Sequence, residues 1–309
     1  MKPRFCSIGS INMDLVVKVD RFPFPGETLT GKTFNTFPGG KGSNQAVALS
    51  RLGADVCMAG MVGDDSFGKE YLEHLAASGV DIATVKTVPE CSTGVAIIEV
   101  DSTAENHIVI VPGANGNVDK GFAHEVLESL GDIDMFLLQL EIPLDTVEFI
   151  LKELKKRRKR VVLDPAPMTD KENFDRLVPY LDIVTPNETE MKLLTDVEVT
   201  DIESAKKAGK LLLSRGVQSV IIKAGGRGSY IVSPEGAKHV PAFSIMVTDT
   251  TGAGDSFNAG LAYALGEGKR MEDAVLFASA VGGLACSAFG AQSSMPELSA
   301  VLDLLNTAE

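Results

Sequence analysis

The chain has 309 residues, a formal net charge of −13, 6% aromatic residues and no tryptophan. An acidic surface without aromatic platforms excludes nucleic acid as a partner, duplex or single-stranded. Cys6, Cys57, Cys91 and Cys286 lie far apart without C-x-x-C spacing, and His74, His107, His124 and His239 are isolated, so neither a disulfide framework nor a zinc site is expected.

Met1 to Val17 lacks an uninterrupted apolar core of signal-peptide length, and a cytoplasmic protein is expected. Short apolar runs at Phe5 to Ile8, Val56 to Met61, Met135 to Leu140, Arg160 to Leu163, Ile183 to Thr185, Ser219 to Lys223 and Tyr230 to Ser233 predict strands. Helical periodicity falls between them, at Ser43 to Leu52, Phe67 to Ser78, Leu144 to Arg157, Glu188 to Leu194 and Ile202 to Arg215. The alternation predicts an α/β fold, a doubly wound and mainly parallel sheet, in a single domain spanning 1–309. Ligands of such sheets sit beyond the carboxyl ends of the strands, where Asn12, Glu141, Asn187 and Gly225 fall.

Two segments break the rhythm. Residues 14–38 hold an extended run and then a Pro/Gly-rich turn. Residues 93–111 hold two β-rich pieces, Gly94 to Val100 and Asn106 to Val111, joined by Asp101-Ser102-Thr103-Ala104-Glu105. Gly26 to Thr33 satisfies the G-x-x-x-x-G-K-[ST] pattern of a phosphate loop. Proline-rich sequence precedes it and no helix pattern follows, so that reading is rejected. The basic run from Lys152 to Arg160 closes a helix, where cations complement the dipole and stay solvated. Asn187-Glu188-Thr189 matches a glycosylation acceptor, which has no meaning without secretion. Ala274 to Gln292 carries no charge, but its glycines and serines suit a tightly packed helix better than a membrane span, and no membrane partner is expected.

The most informative segment is Asp249-Thr250-Thr251-Gly252-Ala253-Gly254-Asp255-Ser256-Phe257, between the strand-like Phe243 to Val247 and a small-residue helix starting near Ser256. Glycines there let backbone N–H groups converge on an anion, aided by the positive end of the helix dipole. Asp255 beside them can accept a proton from an attacking hydroxyl. A second Gly-rich helix entry, Phe37-Pro38-Gly39-Gly40-Lys41-Gly42-Ser43-Asn44-Gln45-Ala46, offers polar side chains to a small molecule.

With both motifs in order, the chain resembles the ribokinase-like sugar kinases of the phosphofructokinase-B type, from Ser7-Ile8-Gly9-Ser10-Ile11-Asn12-Met13-Asp14 to Gly290-Ala291-Gln292. The resemblance implies an ATP-dependent kinase for the primary hydroxyl of a sugar, ribose foremost. A deoxyribose or nucleoside kinase, or an idle sugar-binding regulator, are the alternatives. It implies sugar contacts from Asn12, Met13 and Asp14, from Gly40, Lys41, Gly42, Ser43 and Asn44, and from Glu141. Asp255 becomes the catalytic base, with Gly252, Ala253 and Gly254 as anion-hole donors. Nucleotide contacts fall to Asn187, to Lys223, Ala224, Gly225, Gly226, Arg227 and Gly228, and to Gly254. Ser279 stands near the adenine, where relatives often place a longer polar side chain. Asn187 and Glu190 match an N-x-x-E element that organises hydrated Mg²⁺. Asp249, Thr251, Ala285, Ala288, Gly290 and Ser294 match a monovalent-cation (K⁺) site built mostly of carbonyl oxygens. Residues 14–38 and 93–111 become a β-sheet lid, and two lids pack together in a homodimer.

Overall fold

The computed structural model describes residues 2–103, 105–168 and 170–307. Met1 and Ala104, the latter in the loop expected between the two lid strands, lie outside them. The strands are β1 (Arg4–Ile8), β2 (Asn12–Lys18), β3 (Thr33–Gly39), β4 (Asp55–Gly63), β5 (Asp81–Val88), β6 (Gly94–Val100) and β7 (Asn106–Val111). They continue with β8 (Met135–Leu138), β9 (Arg160–Leu163), β10 (Ile183–Val184), β11 (Ser219–Lys223), β12 (Ser229–Ser233) and β13 (Gly236–Val240). The helices are α1 (Lys41–Arg51), α2 (Ser66–Ala77), α3 (Lys120–Ser129), α4 (Leu144–Lys156) and α5 (Lys171–Asp175). After them come α6 (Glu188–Thr195), α7 (Ile202–Leu213), α8 (Ala253–Gly266), α9 (Met271–Ala285) and α10 (Leu298–Thr307).

Among the described residues the larger sheet has nine strands, in the order β13-β12-β11-β10-β9-β8-β1-β4-β5. All its pairings are parallel except β11–β12 and β12–β13. The period-2 alternation of strand side chains feeds two cores. Cys6 and Ile8 of β1 and Val161 and Leu163 of β9 pack with α3, α4, α6 and α7. Phe5 and Val162, their neighbours in sequence, pack with α1, α2, α8 and α9 on the other face. This is the doubly wound arrangement expected from the alternation. Small residues bring α8 and α9 close: a Cβ at Gly260 would lie 2.9 Å from a Val281 methyl.

The smaller sheet has the order β3-β2-β6-β7, with β2 and β6 parallel and both outer pairs antiparallel. It coincides with the two segments that interrupt the rhythm of the sequence. Gly26 to Thr33 leads into β3, not into a helix, and Lys32 pairs with Asp20. The phosphate-loop reading has no structural counterpart there.

Several boundaries move. Phe243 to Val247 is not a strand. Phe243, Ile245 and Val247 instead wall a cavity, and an apolar run that lines a pocket has the same local pattern as one that lines a sheet. α8 begins at Ala253 because Gly252, at φ 75°, makes the left-handed turn that starts it. β8 ends at Leu138, which frees Gln139 and Glu141 to turn off the sheet. Strands β5 and β13 and helices α3, α5 and α10 were absent from the sequence reading. In α10 apolar residues are many, but only Val301 is fully buried. No helix among the described residues is long and apolar enough to cross a membrane.

Candidate active site

The site lies beyond the carboxyl ends of β1, β8, β9, β10 and β11, against the N-termini of α1 and α8. Asp255, in the first turn of α8, is 5% exposed. Its Oδ2 accepts from Asn44 Nδ2 at 2.9 Å and its Oδ1 from Gln45 Nε2 at 3.1 Å. Burial raises the carboxyl above its ordinary pKa, and nearby Asp164 adds to the rise. The Lys41 ammonium and the two amide donors act the other way. The Ala253 N–H turns back to the Thr250 carbonyl at 3.2 Å. No protein acceptor takes the Gly254 N–H among the described residues. Gly254 also faces Lys223, whose Nζ would be 3.5 Å from a Cβ at that position.

On the side of the smaller sheet, α1 starts where Gly40 takes φ 89° with its backbone against Asn12: a Cβ there would be 2.6 Å from the Asn12 nitrogen. Asn12 is buried, and its Oδ1 accepts from Asn115 Nδ2 at 2.7 Å. Its Nδ2 therefore points the other way, 3.5 Å from Glu141 Oε2. That carboxylate oxygen also receives Ser10 Oγ at 2.5 Å and the Lys41 N–H at 3.2 Å. Asp14 is pushed up to about 7 by burial and by the carboxylates of Glu141 and Asp255, with Lys41 opposing. Burial alone would lower the Lys41 ammonium, but Asp255, Asp164, Glu141 and Glu190 outweigh it and raise the group. Of these four carboxylates, Asp164 and Glu190 are shared with Lys223.

Three residues of this set do not face the cleft. The Met13 side chain is in the core. Gly42 packs on the Gly9–Ser10 backbone, where a Cβ would sit 2.7 Å from Gly9 C. Ser43 Oγ donates back to the Gly39 and Gly40 carbonyls at 2.7 and 2.9 Å. These positions shape the loop, and only backbone from Met13 is left for a ligand.

On the far side of Gly254 a cavity of about 600 Å³ opens, lined among others by Lys41, Asn187, Lys223, Phe243 and Ser279. Ser279 Oγ is buried and lacks a partner among the described residues, so it is a polar handle on the wall that Phe257, Gly282 and Gly283 also form. Gly225, Gly226 and Gly228 line the cavity too, while Ala224 is buried. The Arg227 side chain turns away, donating to the Thr200 carbonyl at 2.6 Å and pairing with Glu188. Lys223 Nζ is 3.0 Å from Asp164 Oδ1, a carboxylate only 2% exposed.

Asn187 and Glu190 form a capping box on α6: Asn187 Oδ1 accepts from Glu190 N at 2.8 Å and Glu190 Oε2 from Asn187 N at 2.8 Å. Burial raises the Glu190 carboxyl, with the Lys223 charge opposing. Glu190 and Asp164 both line the cavity, and their hard oxygens fit a hydrated Mg²⁺. Before α8, Asp249 Oδ1 accepts from Thr251 Oγ1 at 2.7 Å and Oδ2 from Gly290 N at 3.0 Å. The Cys286 carbonyl accepts from Thr248 and Asp249. The loop before the glycines is therefore stitched to the end of α9 and the segment after it, where Ala285, Ala288, Gly290 and Ser294 fall.

Asp164, Gln45, Asn115 and Gln292 were not singled out from sequence. Asp164 follows β9 as Asn187 follows β10, so the strand-end rule points to it. Gln45 stands inside the motif, next to Asn44. Asn115 and Gln292 carry no local signal, because they reach the site only through tertiary contacts.

A model of the pfkB family of carbohydrate kinases matches residues 2–298. The chain is 39% identical to a ribokinase of Haemophilus influenzae over 308 residues, covering 100% of both. It is 41% identical to a ribokinase of Bacillus subtilis over 302 residues, covering 97% of this chain and 99% of the relative. The structure of Arabidopsis thaliana ribokinase complexed with ribose and ATP superposes with a TM-score of 0.89 at 34% identity, covering 99% of each chain. With the match running through both glycine-rich helix entries and the sheet between them, the chain belongs to the pfkB family of carbohydrate kinases.

Proposed function

We propose that the protein transfers the γ-phosphoryl group of ATP to the 5-hydroxyl of D-ribose, giving ribose 5-phosphate and ADP. The observation that carries this reading is Asp255, a buried carboxylate at a helix N-terminus between a cleft of sugar-like polarity and a cavity of nucleotide size. Full-length identity near 40% to ribokinases supports ribose as the acceptor.

The sugar lies among Asn12, Asp14, Lys41, Asn44 and Glu141, whose hydrogen bonds reject analogues lacking a hydroxyl. Asp255 orients the primary hydroxyl and accepts its proton as the bond to phosphorus forms. A carboxylate cannot deprotonate an alcohol beforehand, so positioning and charge stabilisation carry most of the acceleration. The Gly254 N–H, the dipole of α8 and the ammonium groups of Lys41 and Lys223 stabilise the transferring phosphoryl group. Asn187, Glu190 and Asp164 would hold hydrated Mg²⁺, which neutralises phosphate charge. The adenine lies between the Gly225–Gly228 turn and Ser279. Asp249 and the segment 285–294 would hold a monovalent cation, K⁺ foremost, whose charge would help to fix the loop that carries the glycines. The chain acts as one domain, 1–309, with the small sheet as a lid at 14–38 and 93–111. The lid excludes water, which would otherwise compete as phosphoryl acceptor. Two copies pair through it.

The test is ADP release across pentoses, 2-deoxyribose, hexoses and nucleosides. The proposal expects D-ribose to give the highest kcat/KM. A preference for 2-deoxyribose or a nucleoside moves the specificity within the same chemistry, and no release with any acceptor would make the protein a sugar-binding regulator.

A further inference from the structure

Asp255 is held from two sides, and the two arms differ. On one side Asn44, which belongs to the sugar cleft, donates to Oδ2 and is itself held by Gln292 Nε2 at 2.9 Å. On the other side Gln45 donates to Oδ1, and Gln45 Oε1 accepts from Gln139 Nε2 at 2.7 Å. Gln45 and Gln139 are 1% and 0% exposed, and neither lines the large cavity.

The direction of this second arm is imposed by charge. An ionised carboxylate only accepts, so Gln45 must turn its NH₂ to Asp255 and its oxygen to Gln139. Gln139 must then turn its NH₂ to Gln45, which leaves Gln139 Oε1 buried without a partner among the described residues. That oxygen occupies the space a side chain at position 9 would take: a Cβ on Gly9 would lie 1.9 Å from it. Reversing either amide would set acceptor against acceptor. An orphaned buried oxygen is unfavourable, and a methionine of similar length would fill either position without one. Packing therefore does not account for two glutamines in series.

We propose that Gln139 and Gln45 form a directional carboxamide relay that positions Asp255 and holds it in its ionised form. The inference rests on the reading of Asp255 as the base. Asp255 faces Lys41 from α1, Asp164 beyond β9, Asp14 from β2 and the Tyr71 phenol from α2. Lys41 opposes the rise in the Asp255 pKa, and a second cation, Lys223 of β11, stands at neighbouring Gly254 and pairs with Asp164. The relay adds a neutral donor to these charges. Gln45 and Gln139 are positioning residues, not catalytic ones.

The experiment is the pH profile of kcat/KM for D-ribose in Gln45→Met and Gln139→Met. Losing a donor to the ionised form raises the pKa of the base, so activity should fall away at higher pH than in the wild type. The acid limb should move up by about one pH unit in Gln45→Met, the size expected for one hydrogen bond to a charged group. It should move less, in the same direction, in Gln139→Met, where the donor remains but is unlocked. A structural defect alone would lower activity equally at all pH values and leave the limb in place. An unshifted limb in folded Gln45→Met overturns the relay. If that variant does not fold, Gln139→Met decides in the same way. Near-normal turnover in Asp255→Asn would instead unseat the base itself, whereas its loss alongside an unshifted Gln45→Met limb overturns only the relay.

Discussion

Asp14, Glu141, Asp164, Glu190 and Asp255 crowd around Lys41, and burial raises the carboxyls of Asp14, Glu190 and Asp255 above their ordinary range. Asp14 keeps its proton to about pH 7 in the folded chain because burial and the charges of Glu141 and Asp255 disfavour its ionised form. In the unfolded chain it releases the proton near pH ~3.9. Between those values the unfolded state binds fewer protons, so this group makes stability fall as pH rises and exacts its full penalty above about pH 7. Asp14→Asn should flatten the decline of the urea midpoint between about pH 4 and pH 7. Midpoints that run parallel to the wild type across that window would show that Asp14 ionises as freely folded as unfolded. At this scale the sequence displayed Asp255, Lys41, Asn44 and Glu141, because glycine spacing and strand ends point to them. It did not display that Met13, Gly42 and Ser43 face inward or that Arg227 turns to Thr200, since side-chain direction depends on neighbours distant in the chain.

Among the elements, the doubly wound sheet was legible because each core strand is an apolar run and each long helix has an apolar stripe. Phe243 to Val247 shows where such reasoning fails: the same pattern lines a cavity. The loop before α8 is the element on which the chemistry depends. Asp249 ties Thr251 to Gly290 across the fold, so a cation bound between these segments would order the Gly254 donor without touching substrate. At fixed ionic strength, kcat should rise with K⁺ or Cs⁺, and Asp249→Ala should blunt that response. Equal rates in K⁺ and in a bulky organic cation would show that the loop needs no ion.

For the whole molecule, the lid leaves apolar surface uncovered. The ladder places Ile97 and Val109 opposite each other on one face and Asp14 and Ile110 together on the other. The cleft can cover only the face that carries Asp14. Ile97 at 42%, Val109 at 60% and Val111 at 43% exposure remain, the two valines on the edge strand β7. A second copy docked lid to lid would bury them. Light scattering at micromolar protein should give a dimer, and Val109→Asp should shift it toward monomer. A monomer in the wild type would show that this face has another role.

The central claim joins both halves of the molecule at one carboxylate. It is tested most directly by comparing D-ribose-dependent ADP release in the wild type and Asp255→Asn, with ribose and ATP binding followed by calorimetry. Binding of both ligands should be largely retained while kcat falls by about 10²–10⁴-fold, the range for loss of a positioned base. Turnover close to the wild type in Asp255→Asn would contradict the account.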